Sequence, residues 1–170
     1  MAAAVVGGTI LALRASSWPI AWIGLELNLL GFVPMTILAL TNKKSAMTYF
    51  VVQSIGSLLL LFGGVTVTAA VLTCFMGVLL KIGLTPLHFW VPPVARKLSP
   101  IRLGTLLSLQ KLAPLSLLLF ISLDFRTTSL MNLTVGAVII LSASRLTSLL
   151  IFSGLVQMAW VISLGGGAII

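Results

Sequence analysis

"FMGVLLKIGLTPLHFW", residues Phe75–Trp90, begins as a membrane helix and then departs from one. Lys81 arrives in the middle of an apolar run, and Gly83, Pro86 and His88 follow it. The whole apolar segment, Val65–Val94, would extend about 45 Å as one straight helix at 1.5 Å per residue, well beyond a hydrocarbon core of about 30 Å. It must tilt strongly or break. Pro86 lacks the backbone donor a helix needs and disfavours helical geometry at Thr85, while Gly83 accepts backbone angles closed to other residues. A broken helix is therefore predicted near residues 82–88. Unpaired backbone at membrane depth is tolerated only inside protein or beside a watery cavity, and Lys81 sits just before that place.

The rest of the chain fits a membrane reading. Of its 170 residues, 59% are hydrophobic and 7% charged, and the mean hydropathy is +1.24, far outside the composition of a soluble domain. The net charge of +8 does not indicate nucleic acid, because its basic residues punctuate apolar runs instead of gathering on one wetted face. Such scattered lysines and arginines are ordinary determinants of membrane topology. The single cysteine, Cys74, has no partner for an internal disulfide, and its apolar neighbours make it a small packing residue. The opening "MAAAVVGGTILALRASS" has no basic region ahead of its apolar run, unlike a secretory signal or a transit peptide. It reads as a first membrane helix.

Charges and turn formers divide the chain into seven apolar segments, most of them near the roughly 17–25 residues that cross a bilayer. They are Ala2–Leu13, which is short, then Trp18–Leu40, Ala46–Phe62, Val65–Val94, Leu103–Leu123, Ser129–Ala143 and Thr147–Gly166. The fold class is an all-α, polytopic transmembrane bundle forming a single domain, with no room for a soluble one. With the N-terminus on the positive-inside face, that face collects Lys43, Lys44, Arg96, Lys97, Arg102 and Arg145, while the other holds Arg14, Asp124 and Arg126. An error of one helix would have mixed these sets. Trp18, Trp22 and Trp90 fall near helix ends, where interfacial aromatics are common.

Four ionisable side chains lie inside the segments: Glu26, Lys81, His88 and Lys111. Glu26 is about 12 Å along its helix from Trp18, and Lys111 about 12 Å past Leu103, so neither is a terminal charge. A charge at the bilayer centre costs about 2.5–3.5 kcal/mol on an insertion scale, so all three charged groups must face protein or water. One reading is a row of titratable groups carrying protons. Moving a charge across about 180 mV takes roughly 4 kcal/mol, and a lysine whose pKa cycles by about three units supplies a similar amount. The other reading is a static pair between Glu26 and a lysine that pins helices together. His88 either relays protons or satisfies carbonyls freed by the break. Gln53, Gln110 and Gln157 read as interhelical hydrogen bonders, and Gly104, Gly136 and "GGGA" (Gly165–Ala168) as sites of close helix approach, the last alternatively as a helix end. One cysteine, one histidine and two acids are too few for an ordinary zinc or haem site or a hydrolytic carboxylate pair. No phosphate-cradling or dinucleotide fingerprint is present, so no cofactor and no redox centre is expected.

Five blocks in order carry a resemblance: "WIGLELNLLGFVPM" (Trp22–Met35), "TYFVVQSIGSLLLL" (Thr48–Leu61), "KIGLTPLHFWVPPV" (Lys81–Val94), "LLSLQKLAPLSLL" (Leu106–Leu118) and "RLTSLLIFSGLVQMAW" (Arg145–Trp160). Together they resemble the antiporter-like membrane subunits of mitochondrial NADH:ubiquinone oxidoreductase, respiratory complex I, and its chain 2 subunits in particular. The resemblance implies a proton-pumping role in the inner mitochondrial membrane beside other membrane-arm subunits and lipids, with the N-terminus in the matrix and no direct contact with NADH or quinone. By it, Glu26 is the membrane glutamate, Lys81 its partner on the broken helix, Lys111 the central lysine of the proton path, and His88 the histidine after the break. It also implies two inverted five-helix units, of which residues 1–123 form the first and 124–170 about two helices of the second. The chain starts just before the glutamate helix, as in shortened animal forms, and stops soon after "QMAW". The second broken helix and its lysine are accordingly expected on another chain, replaced by a neighbour, or lost. If lost, the subunit is a reduced scaffold of the membrane arm with no proton path of its own; a free-standing cation/proton antiporter would need the complete second unit.

The topology has a direct check. In a Cys74→Ala background, cysteines introduced at Lys44, Lys97 and Arg145 are expected to react with a membrane-impermeant maleimide from one face only, and cysteines at Arg14 and Arg126 from the opposite face only. Mixed labelling within either set would refute the helix count.

Overall fold

The computed structural model of the protein describes residues 1–39, 43–66, 70–118 and 126–167. All of its regular structure among them is helical. Nine helices follow one another: α1 (Ala2–Leu13), α2 (Trp18–Ala39), α3 (Lys43–Val65), α4 (Ala70–Ile82), α5 (Val91–Ala95), α6 (Pro100–Leu107), α7 (Leu109–Leu118), α8 (Arg126–Ser142) and α9 (Leu146–Gly167). The predicted ends Leu40 and Leu123, the loop residue Asp124, the boundary at 123/124 and Ala168 lie outside the described residues.

Four of the seven predicted segments correspond to α1, α2, α8 and α9 within a few residues. The others need correction. The third begins earlier, so Lys43 and Lys44 open α3 instead of lying in a loop, and Val65 closes α3 instead of opening the next segment. The fourth breaks as expected, leaving α4 and the short α5 on either side of residues 83–90. The fifth was expected to be continuous and is divided at Ser108. The Ser108 amide and hydroxyl both donate to the Gly104 carbonyl, at 3.0 and 2.7 Å. A serine that bonds back to the carbonyl four residues earlier bends a helix, and Pro114 inside α7 removes a further donor. Only Trp18–Leu38, Lys43–Val65 and Leu146–Leu164 are, among the described residues, long and apolar enough to cross a membrane singly.

The bundle hides polar groups and exposes apolar ones. Lys81, Lys111, Asn28, Gln53 and Asn132 are buried, whereas Leu30, Leu38, Phe62 and Leu164 are well exposed. That inversion suits a lipid surround, in which exposed leucine costs nothing and exposed lysine costs a great deal.

Packing depends on small residues between neighbouring helices, as expected where lipid supplies no hydrophobic drive. A Cβ at Gly8 would lie 2.6 Å from the Asn28 backbone nitrogen, and one at Gly24 2.7 Å from that of Ala12, so α1 and α2 touch backbone to backbone. Gly136 meets α9 at Val156, as its sequence position suggested, but Gly104 faces open space. Cys74 is buried against Gly63, a packing residue.

The tryptophans near helix ends also tie elements together. Trp18 and Trp22 donate their indole N–H to the α3 carbonyls of Leu60 and Ser57, at 3.2 and 3.0 Å. Trp90 is buried and donates to the Leu80 carbonyl at 3.0 Å. Tyr49 stacks edge-on between Phe32 and Trp90, with ring centroids 5.2 and 5.7 Å away.

The glycine contacts yield a paired prediction. Gly8→Ala is expected to destabilise the fold by about 1–3 kcal/mol, because backbone cannot yield to the new methyl as a side chain would. Gly7→Ala, with nothing within 4 Å of its Cβ position, should be neutral or slightly stabilising through helix propensity. Unfolding of the two variants in detergent and denaturant compares them directly.

Candidate functional site

Lys81 occupies the last turn of α4, and the way that helix ends determines its surroundings. Gly83 adopts φ +77, the left-handed conformation that closes helices. The Gly83 and Leu84 amides both return to the Leu79 carbonyl, at 2.9 and 3.0 Å. The carbonyls of Leu80 and Lys81 would otherwise be left facing an apolar core. Trp90 Nε1 donates to the first at 3.0 Å and Gln53 Nε2 to the second at 3.2 Å. Beyond the break, which includes a cis Thr85–Pro86 peptide, Thr85 donates from both its amide and its hydroxyl to Asn132 Oδ1, at 2.8 and 2.6 Å. Asn132 is held in turn by its Nδ2 bond to the Thr128 carbonyl at 2.7 Å.

The break thus draws partners from α3, α8 and its own return segment. His88 was one candidate for satisfying the freed carbonyls, and it does not do so. Its Nδ1 is buried without a hydrogen bond, and its ring lies edge-on to Phe152 of α9 with centroids 6.5 Å apart.

The Lys81 ammonium lies 3.9 Å from Glu26 Oε1 on α2, with the lysine side chain 3% exposed and the glutamate 25%. A charge-assisted hydrogen bond would be about 2.7–2.9 Å long, so the two attract without bonding. At that separation the attraction is of order 4 kcal/mol for an effective dielectric of 20, while burying each ion costs several kcal/mol. The pair therefore gives little net stability. The lysine stem runs across Gly56, where a Cβ would come within 2.9 Å of Lys81 Cγ; glycine there leaves the lysine its path between α3 and α2.

Around Lys81 lies a cavity of ≈ 10 Å³ between α2, α3, α4 and α7, whose polar walls are Asn28, Gln53, Lys81 and Gln110. That is about the least volume that admits one water molecule. Gln110 Nε2 donates to Asn28 Oδ1 at 2.7 Å, and the Tyr49 hydroxyl donates to Gln110 Oε1 at 3.1 Å. Lys111, the next residue of α7, turns the other way. It is buried, and its Nζ would be 3.3 Å from a Cβ at Gly154 of α9. Glu26 is the only carboxylate among the described residues, and it pairs with Lys81; among those residues Lys111 has no ion pair.

The structure thus joins Glu26 to Lys81, and sets Lys111 on the far side of Gln110. Gln53 and Gln110 bond between helices as expected, whereas Gln157 is exposed. Asn28, Tyr49 and Asn132 were not singled out from the sequence. The available signal was an amide or hydroxyl inside an apolar helix, but their partners are 47 to 82 residues away.

Comparison with known proteins places the chain in a family. Residues 63–165 match the family described as "NADH:quinone oxidoreductase/Mrp antiporter, TM". Similar proteins include NADH-ubiquinone oxidoreductase chain 2 of Lumbricus terrestris, 32% identical over an alignment of 175 positions that covers 94% of this chain and 52% of that one. The chain 2 proteins of Megaderma spasma and Albinaria caerulea are 33% and 31% identical, covering 92% and 95% of this chain and 51% and 58% of theirs. The chain spans about half the length of the curated relatives it matches.

The ties at the break are individually testable. Asn132→Leu leaves the Thr85 amide buried without an acceptor, which costs about 1–3 kcal/mol. Hydrogen exchange at Thr85 is expected to accelerate by at least tenfold, while exchange in α1 stays unchanged.

Proposed function

Since the chain belongs to the NADH:quinone oxidoreductase/Mrp antiporter transmembrane family, we propose that it is a membrane-arm subunit of mitochondrial NADH:ubiquinone oxidoreductase that contributes to proton translocation. The supporting observation is the Glu26–Lys81 pair, a charge pair at 3.9 Å placed at a broken helix and beside a polar cavity. In this reading the work is done by changes of protonation and not by redox chemistry within the chain. A proton arriving at Glu26 neutralises the carboxylate and removes the attraction that favours the charged form of Lys81. Lys81 then releases its proton more readily toward the polar groups at Gln53, Asn28 and Gln110. Lys111, with no carboxylate beside it among the described residues, is the acceptor beyond them. His88 stands on the α9 side of the break, where an imidazole can exchange a proton.

The proposed setting is the inner mitochondrial membrane, with the N-terminus in the matrix and other membrane-arm subunits alongside. Residues 1–123 are taken as the first five-helix unit and 124–170 as the start of the second. The pairing of α8 with α9, tied to the rest partly through α5, supports that division.

A scaffold role for the same subunit predicts a static ion pair. The 3.9 Å gap favours the first reading, because a pair kept only to pin helices would gain most from a direct hydrogen bond.

The decisive experiment compares proton yield per electron in assembled complexes. Lys81→Ala and Lys111→Ala are each expected to lower that yield several-fold while the complex still assembles. Unchanged yield in both variants would sink the proposal and leave the scaffold.

A further inference from the structure

At the turn between α8 and α9 lies a second cavity, of ≈ 330 Å³, quite unlike the one at Lys81. That volume is at the lower end of the range for ligand pockets, about 300–1,000 Å³. Its polar walls are Arg96 just after α5, Ser142 at the end of α8, Ser144 and Arg145 from the turn, and Ser148 from the first turn of α9. Ile139 and Phe152 form its apolar side. Arg96 is turned toward α9, with its Nη2 donating to Ser148 Oγ at 3.4 Å. The first amides of α9 lie at the same turn and add the positive end of a 22-residue helix.

Two arginines and three serines line one space with no acid among them, a set suited to an anion that offers several acceptor oxygens. The same charges make this a poor entrance for cations, so it does not serve the proton path proposed above. Location narrows the choice. Arg96 and Arg145 belong to the positive-inside set, and next to the cavity the chain presents Val138, Leu141 and Leu146, which are 67%, 89% and 73% exposed. An anion held here has apolar surface beside it at membrane depth. Basic pockets between transmembrane helices at this face bind anionic lipid head groups in general.

We propose that the Arg96–Arg145 cavity is a binding site for the phosphate of an anionic phospholipid, with its acyl chains along the exposed α8 and α9 surface. The inference requires that the chain lies in a membrane in the stated orientation and that the α8–α9 face is left to lipid, not that the chain moves protons. A free phosphate ion shares the recognised chemistry, and the test separates the two.

The intact assembly containing the full chain is delipidated and titrated with phosphatidylglycerol or phosphatidylcholine, and retained lipids are counted by native mass spectrometry. The wild-type protein is expected to retain at least one more phosphatidylglycerol than Arg96→Ala/Arg145→Ala, with affinity at that site about thirtyfold higher, as two basic groups near a membrane surface imply. Arg14→Ala, at the opposite face, should match wild type, and millimolar inorganic phosphate should not displace the lipid. If the double variant fails to assemble, Ser144→Glu adds a repelling charge at an exposed position and is expected to lower lipid retention alone. Equal retention by wild type and variants, equal binding of phosphatidylcholine, or displacement by inorganic phosphate would each overturn the proposal. So would an intact-assembly structure in which a protein segment fills the cavity.

Discussion

A backbone carbonyl or a charge surrounded by apolar atoms must find a partner or cost several kcal/mol. That constraint governs this bundle most visibly at the end of α4, where the helix stops in the interior and leaves the Leu80 and Lys81 carbonyls and the Thr85 amide exposed to the core. Three side chains from three places close the account: Gln53 from α3, Trp90 from the return segment and Asn132 from α8. The break is therefore a junction and not merely an interruption. Helices α3, α4 and α8 are oriented by what it needs, and Lys81 is carried into the interior by the same geometry.

Charge within the bundle follows a related logic. The Glu26–Lys81 attraction roughly offsets part of the cost of burying the two ions and leaves little surplus. Such a pair is sensitive to any change in either partner, because neither is secured by a short hydrogen bond. The polar groups beside Lys81 differ in kind. Asn28, Gln110 and Tyr49 are neutral, bonded in series, and hold α2, α3 and α7 around a space barely large enough for one water. Rigid neutral groups thus surround a loosely coupled charged pair, which concentrates responsiveness at the charges.

Much of this was legible from the residues. Apolar runs bounded by charges gave α1, α2, α8 and α9, because such runs need only length and hydropathy to be recognised. Gly83 and Pro86 announced the first break by their own backbone chemistry. The second break was not announced in that way. Ser108 and Gly104 are ordinary residues, and the double donation from Ser108 to the Gly104 carbonyl depends on a local geometry that no hydropathy pattern encodes. The cost of burial pointed to Glu26, Lys81 and Lys111, but not to which lysine meets the glutamate. The tryptophans carry a role their positions did not reveal. Their positions near helix ends fit a membrane interface, while their indoles are used for bonds between α2 and α3 and across the break.

Those two bonds along α2 have a mechanical meaning. Trp18 reaches Leu60, and Trp22, one turn on, reaches Ser57. One more turn along α2 arrives at Glu26, as a further step back along α3 arrives at Gln53. The two helices are consequently indexed against each other like a pair of rulers, with the indoles as the marks. Sliding α2 by a single turn would break both marks at once and lift the carboxylate some 5 Å along the helix axis, away from the ammonium it faces. The vertical position of the site's negative charge is therefore calibrated one and two turns away, by aromatic side chains on its own helix.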